Sequence, residues 1–135
     1  MSDKILFHDN KGPIQEFSWS KYIINGEEHS KLGDKKTGKG KDICVINAEV
    51  KKWKNRKGHT LNISMFSQVL DKGIDTLIIG AGIHKAIKVP ENIITELKNN
   101  GIKNVYVLNT TCALAKYNEL FRDGIKAALL AHGTC

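Results

Sequence analysis

The 135 residues fit one domain and divide poorly into two, because halves of that size bury too little apolar surface to be stable alone. Hydrophobic residues at 41% and charged residues at 26% are ordinary globular proportions, which sets aside disordered and collagen-like chains. The net charge of +7 is local: residues 31–57 hold ten Lys/Arg against Asp34, Asp42 and Glu49, and the remainder is neutral, so one segment rather than the domain is basic.

The longest apolar run, 127–131, is far shorter than the roughly 20 residues a membrane-spanning helix needs. The first residues carry acids and lack the apolar stretch and small-residue cleavage site of a secretory signal, so a cytoplasmic location is expected. Cys44, Cys112 and Cys135 are odd in number and widely spaced, which reads as reduced thiols rather than a disulfide framework.

In chain order, residues 1–13 read as an extension open to disorder and 14–135 as a single domain. Residues 14–19 and 21–24 are β-prone, and Asn25-Gly26 is the favoured dipeptide of a tight hairpin turn. Residues 31–41, with three glycines, read as a mobile polar loop, and 43–46 as a further strand. A helix is expected over 64–70, with Ser64 as N-cap and Gly73 as its stop.

Thr76-Leu-Ile-Ile79 has the uncharged, β-branched character of a strand buried on both faces, ended by Gly80-Ala-Gly82. Pro90 opens a helix whose Ile93, Ile94 and Leu97 repeat at helical spacing and which Asn100-Gly101 stops. Residues 105–108 form the next strand. Thr110 or Thr111 caps a helix carrying Leu114, Tyr117, Leu120 and Phe121, Gly124 ends it, and 125–131 is a final strand. Two successive strand-helix-strand units imply right-handed crossovers between parallel strands, hence an α/β fold.

Ile78-Ile-Gly-Ala-Gly82, Lys88-Val-Pro90, Asn100-Gly-Ile102, Lys116-Tyr-Asn118 and His132-Gly-Thr-Cys135 occur in one order. Together they resemble the adipogenesis-associated domain protein family, one branch of which acts as a mitochondrial complex I assembly factor. The ending and Lys57-Gly-His59 fit the stand-alone branch better. The resemblance implies a three-layer α/β domain: a central mixed sheet, helices on one side and a small antiparallel β element, from the N-terminal half, on the other. It implies no established catalytic activity, and residues 31–57 are unusually basic for it.

Three constellations could carry chemistry. Gly80, Ala81 and Gly82 after a strand invite the dinucleotide fingerprint, but Lys85 stands where a third glycine belongs and Asn109 where an acid should follow, so a glycine turn is the better reading. Loops at strand C-terminal ends are nonetheless where ligands bind in open α/β sheets, and His84 and Lys85 would line such a crevice. His59, His84, His132 and Cys135 offer metal-ligating or acid–base groups, without any finger-type spacing, so no metal or cofactor is expected.

The third is the basic patch Lys51, Lys52, Trp53, Lys54, Arg56 and Lys57, in which an aromatic sits among cations as in single-strand nucleic-acid binders. The alternative is a solvated loop with Trp53 folded onto the core. No nucleophile elbow, phosphate loop or zinc-protease helix is present. The expectation is a non-catalytic binding or assembly module with a partner protein or small ligand at the 80–85 turn and the 132–135 segment. A small-molecule or redox enzyme using His84, His132 and Cys135 is the alternative, and weak nucleic-acid binding the second. The 132–135 segment should be ordered against residues 80–84.

Overall fold

The computed structural model describes residues 4–30 and 42–135. Strands β1 (Phe7–His8), β2 (Ile14–Ser18), β3 (Lys21–Ile24) and β4 (Glu27–Ser30) form an antiparallel sheet in sequence order. The β3–β4 turn is Asn25-Gly26, both at positive φ (52° and 80°), the two-residue hairpin geometry this dipeptide favours. Within the segment read as an extension, Phe7 and His8 pair with Phe17 and Glu16, and the Leu6 N–H donates to the Phe17 carbonyl. The expected loop at 31–41 lies outside the described residues.

The second sheet contains β5 (Asp42–Ile46), β6 (Glu49–Lys52), β7 (Thr76–Gly80), β8 (Asn104–Leu108) and β9 (Ala127–His132), in the order β6-β5-β9-β7-β8. β9 runs parallel to β7 and antiparallel to β5. Its six residues, Ala-Ala-Leu-Leu-Ala-His, are all buried, as expected of a central strand covered on both faces. Residues 51 and 52 are therefore on a strand at the sheet edge and not in a loop.

Helix α1 (Glu91–Asn99) links β7 to β8, and α2 (Thr110–Arg122) links β8 back to β9 on the other side of β7. Two right-handed crossovers that step in opposite directions must place their helices on opposite faces. So they do: Ile93 and Leu97 of α1 pack with Trp53, Phe66, Leu77, Ile79 and Leu130. Ala113, Leu114 and Tyr117 of α2 pack on the opposite face with Ile14, Phe17, Tyr22, Ile78 and Leu129, sharing it with the small sheet. The mixed central sheet and small antiparallel sheet are as expected, but the helices do not lie together on one side.

Local stops and starts follow the sequence with two changes. Gly101 and Gly124 sit at positive φ just past the ends of α1 and α2, while Gly73, also at positive φ, has no helix to stop. The stretch after Asn62 forms only a 3₁₀ turn (Ile63–Phe66), capped by Asn62 rather than Ser64. Helix α2 is capped by Asn109, whose side chain accepts from the Cys112 N–H at 2.9 Å, rather than by either threonine.

Candidate functional site

The C-terminal ends of β7, β8 and β9 meet at one rim of the sheet. Thr110, just beyond β8, ties the three together: its hydroxyl donates to the His132 carbonyl (2.7 Å) and accepts from the Gly82 N–H (2.9 Å), and its own N–H donates to the Gly82 carbonyl (3.0 Å). Segment 133–135 then crosses the 82–86 turn. Ile83 N–H donates to the Thr134 carbonyl at 2.7 Å, and the N–H groups of His84 and Ala86 both reach the Cys135 carbonyl, at 2.9 and 3.3 Å. The expected packing of 132–135 on this turn is present.

That packing has a consequence for the expected crevice. Gly82 has φ +103°, and a Cβ there would stand 2.5 Å from the Cys135 carbonyl carbon, so the space over Gly80–Ala81–Gly82 is filled by the chain itself. The glycines admit this segment, as a glycine turn that allows close backbone approach. His84 and Lys85 are exposed, with Lys85 in the left-handed region at φ 55°. The open space lies on the other side of segment 132–135: a pocket of about 260 Å³ lined by Arg56, Gly58, His59, His132, Thr134 and Cys135.

The pocket's chemistry begins with a strand pair. Asp42 opens β5 directly across the ladder from His132, and side chains of paired residues share a face. The buried His132 ring (2% exposed) therefore meets the Asp42 carboxylate, Nδ1 to Oδ1 at 2.7 Å. A carboxylate only accepts, so Nδ1 carries a proton, and in the neutral form of the ring Nε2 presents its lone pair to the pocket. Arg56 Nε lies 2.8 Å from the same Asp42 oxygen, an ion pair without in-line hydrogen-bond geometry, which compensates the buried charge.

At Nε2 two groups compete. Thr134 Oγ1 is 2.9 Å away and Cys135 Sγ 4.0 Å. The sulfur is also 4.0 Å from Nε2 of the exposed His59. His59 is positioned by backbone bonds around Lys88, whose N–H donates to the His59 carbonyl at 2.6 Å and whose carbonyl accepts from Leu61 N–H. Cys44, in contrast, is buried in the core, where desolvation pushes its thiol up to about 11.

Of the residues singled out in the sequence, the structure brings together His59, His132, Cys135 and Arg56, and leaves the His84 side chain outside the pocket lining. It adds Asp42 and Thr134. Among the described residues no three His, Cys, Asp or Glu side chains gather in a metal-holding arrangement. Trp53 is 1% exposed, its Nε1–H donating to the Met65 carbonyl at 2.8 Å, so the patch has no stacking aromatic on its surface. Lys51, Lys52, Lys54 and Lys57 remain exposed.

A roomier hollow, about 530 Å³ between Ile46, Ile74, Phe121 and Ala127, is at the opposite end of the sheet and is lined by no cysteine or histidine. The rim pocket, though smaller, is where reactive groups converge, and convergence is the better guide to chemistry.

Among known proteins, a family model described as "Protein of unknown function (DUF498/DUF598)" matches residues 14–132. A conserved hypothetical protein of Pyrococcus horikoshii is 20% identical, with a TM-score of 0.72 over 90% of this chain and 98% of that one. An outer membrane protein of Bartonella henselae is 18% identical, with a TM-score of 0.71 over 98% and 100%. The Mth938-like domain of a Bordetella pertussis protein is 15% identical, with a TM-score of 0.60 over 98% and 92%. At these identities the likeness is one of fold. Among the described residues no helix is long and apolar enough to cross a membrane.

Proposed function

The chain belongs to the DUF498/DUF598 family, whose function is unknown, and from its rim pocket we propose that it acts on a small molecule through the Cys135 thiol, with His132 as base and Asp42 as the group that orients it. The observation that carries the reading is the line Cys135 Sγ, His132 Nε2, His132 Nδ1, Asp42 Oδ1, which follows the nucleophile–base–orienter order of thiol and serine catalysis. This favours the enzymatic alternative, without His84, over a passive docking module. A reducing cytoplasmic setting, where Cys135 stays a thiol, is part of the proposal.

The reaction class follows from the sulfur count. A redox dithiol cycle needs a second thiol at hand to resolve a mixed disulfide, but Cys135 is the one cysteine lining the pocket, with Cys44 buried in the core and Cys112 exposed on α2 outside that lining. Acyl transfer needs one. The Cys135 S–H proton passes to His132 Nε2 and the sulfur bonds to the carbonyl carbon of a small thioester. The C–S bond of the leaving thiol then breaks, and that sulfur takes the proton from the imidazolium. The acyl group leaves Cys135 to water or another thiol by the same steps reversed.

Affiliation with the stand-alone adipogenesis-associated branch belongs to this reading, supported by the ordered motifs. Partner binding and weak, salt-sensitive nucleic-acid contact through Lys51, Lys52, Lys54 and Lys57 are secondary readings. The exposed charge supports them; the buried Trp53 weighs against the second. The test is iodoacetamide alkylation of Cys135, followed peptide by peptide at pH 7 and at pH 10, where an accessible thiol is ionised regardless of a base. His132→Gln should slow the reaction at least about tenfold at pH 7 and leave it unchanged at pH 10. Equal rates for both proteins at pH 7 would overturn the reading.

A further inference from the structure

We infer that Thr134 is a partial latch on this site, its hydroxyl competing with Cys135 for the His132 Nε2 lone pair and so weakening the base until a ligand in the pocket draws the hydroxyl away. The inference rests on the reading of Cys135 and His132 as nucleophile and base, and concerns how that pair is regulated.

The argument is one of capacity. In its neutral form, the one that can act as a base, the imidazole has its Nδ1 proton directed at Asp42 and a single acceptor site left. Thr134 Oγ1, at 2.9 Å, is within hydrogen-bond distance of it, and its O–H can only be the donor there. Cys135 Sγ, at 4.0 Å, is beyond the roughly 2.6–3.2 Å over which a base takes a proton directly. The geometry is thus a closed one in which the threonine, two residues along the same segment from the histidine, holds the base. The charged and titratable groups around His132 are Asp42, Arg56, His59 and Cys135. None of them supplies Nε2 with a shorter contact than Thr134 does.

Opening the latch needs no backbone movement. The Thr134 carbonyl is fixed by the Ile83 N–H at 2.7 Å, and the Gly133 carbonyl by the Ser20 N–H at 2.8 Å, so the change is a rotation between staggered wells of one side chain. Thr134 and the His132 ring it contacts both line the pocket, which puts the hydroxyl beside whatever enters. A ligand carbonyl or carboxylate oxygen accepts the Thr134 proton and so frees the lone pair as the electrophile arrives. Activation is thereby tied to occupancy by a molecule bearing an acceptor oxygen, which suits an acyl compound.

The experiment measures iodoacetamide alkylation of Cys135 as the ratio of the rate at pH 7 to that at pH 10, which cancels differences in access. Thr134→Val keeps the shape and removes the hydroxyl; Thr134→Ser keeps the hydroxyl. The valine variant should raise the ratio about threefold to tenfold, the weight of one released hydrogen bond. The serine variant should match the unaltered protein. A valine variant with an unchanged or lower ratio, while His132→Gln still lowers it, would overturn the latch and leave the base assignment standing. If His132→Gln has no effect on the ratio, the underlying pair is wrong and the latch falls with it. Urea unfolding of each variant confirms that the fold is retained.

Discussion

Gly82 shows how one residue sets the rim. Its φ of +103° disfavours any side chain, and the Cβ of an alanine would press on the Cys135 carbonyl carbon. Gly82→Ala should therefore destabilise the fold by about 2 kcal/mol or more in urea unfolding and loosen segment 133–135, seen as faster amide exchange at Ile83 and His84. Asn118 is equally committed. It is fully buried, donates to the Ile14 carbonyl (2.7 Å) and Asp9 (2.9 Å), and accepts from the Ile14 N–H (3.1 Å). Asp9 is held below the ordinary carboxylate range, first by the Lys11 N–H, then by the Asn118 amide and Arg122. A depressed folded value means a stabilising contribution that is present above the ordinary carboxylate range and lost as pH falls through the acid region. Asp9→Asn should remove that part of the acid-side slope of stability and leave stability near pH 9 less pH-dependent than it is near pH 3. An unchanged acid limb would contradict the assignment.

Among the elements, α2 carries most of the cross-links, and the motif Lys116-Tyr-Asn118 is where they concentrate. Tyr117 accepts the Ala48 N–H at 3.0 Å and so fixes the β5–β6 turn, where Asn47 and Ala48 both have positive φ (53° and 64°). Tyr117→Phe leaves that N–H without its partner and should cost about 1 kcal/mol in thermal or urea unfolding; no loss would mean the turn is held by other contacts. The elements that were legible in the sequence are those with local punctuation. Asn25-Gly26, Pro90, Gly101 and Gly124 each act through their own backbone preferences, and the buried strand at Thr76–Gly80 through its unbroken apolar character. The 3₁₀ turn at Ile63–Phe66 was not legible as such. Met65 and Phe66 bury themselves in the core and Asn62 caps a single turn, so tertiary packing overrides the helical period of the following residues.

At the scale of the whole molecule the sheet order decides what becomes a site. Placing β9 between β5 and β7 sets the strand ends so that His132 faces Asp42 on one side while the segment beyond it crosses Gly82 on the other. His59, His132 and Cys135 could be named from residue type alone. Asp42 could not, because its role comes from an antiparallel pairing across 90 residues, and nothing near it in sequence marks it. His84 was named for its place after a strand, yet the chain fills the space over that turn. The central claim is that a buried carboxylate, a histidine and a thiol act as one unit, and the most direct test removes the charge on the carboxylate. In Asp42→Asn, shown by urea unfolding to remain folded, alkylation of Cys135 at pH 7 should fall about tenfold or more while the rate at pH 10 is unchanged. A rate at pH 7 equal to that of the unaltered protein would contradict the account.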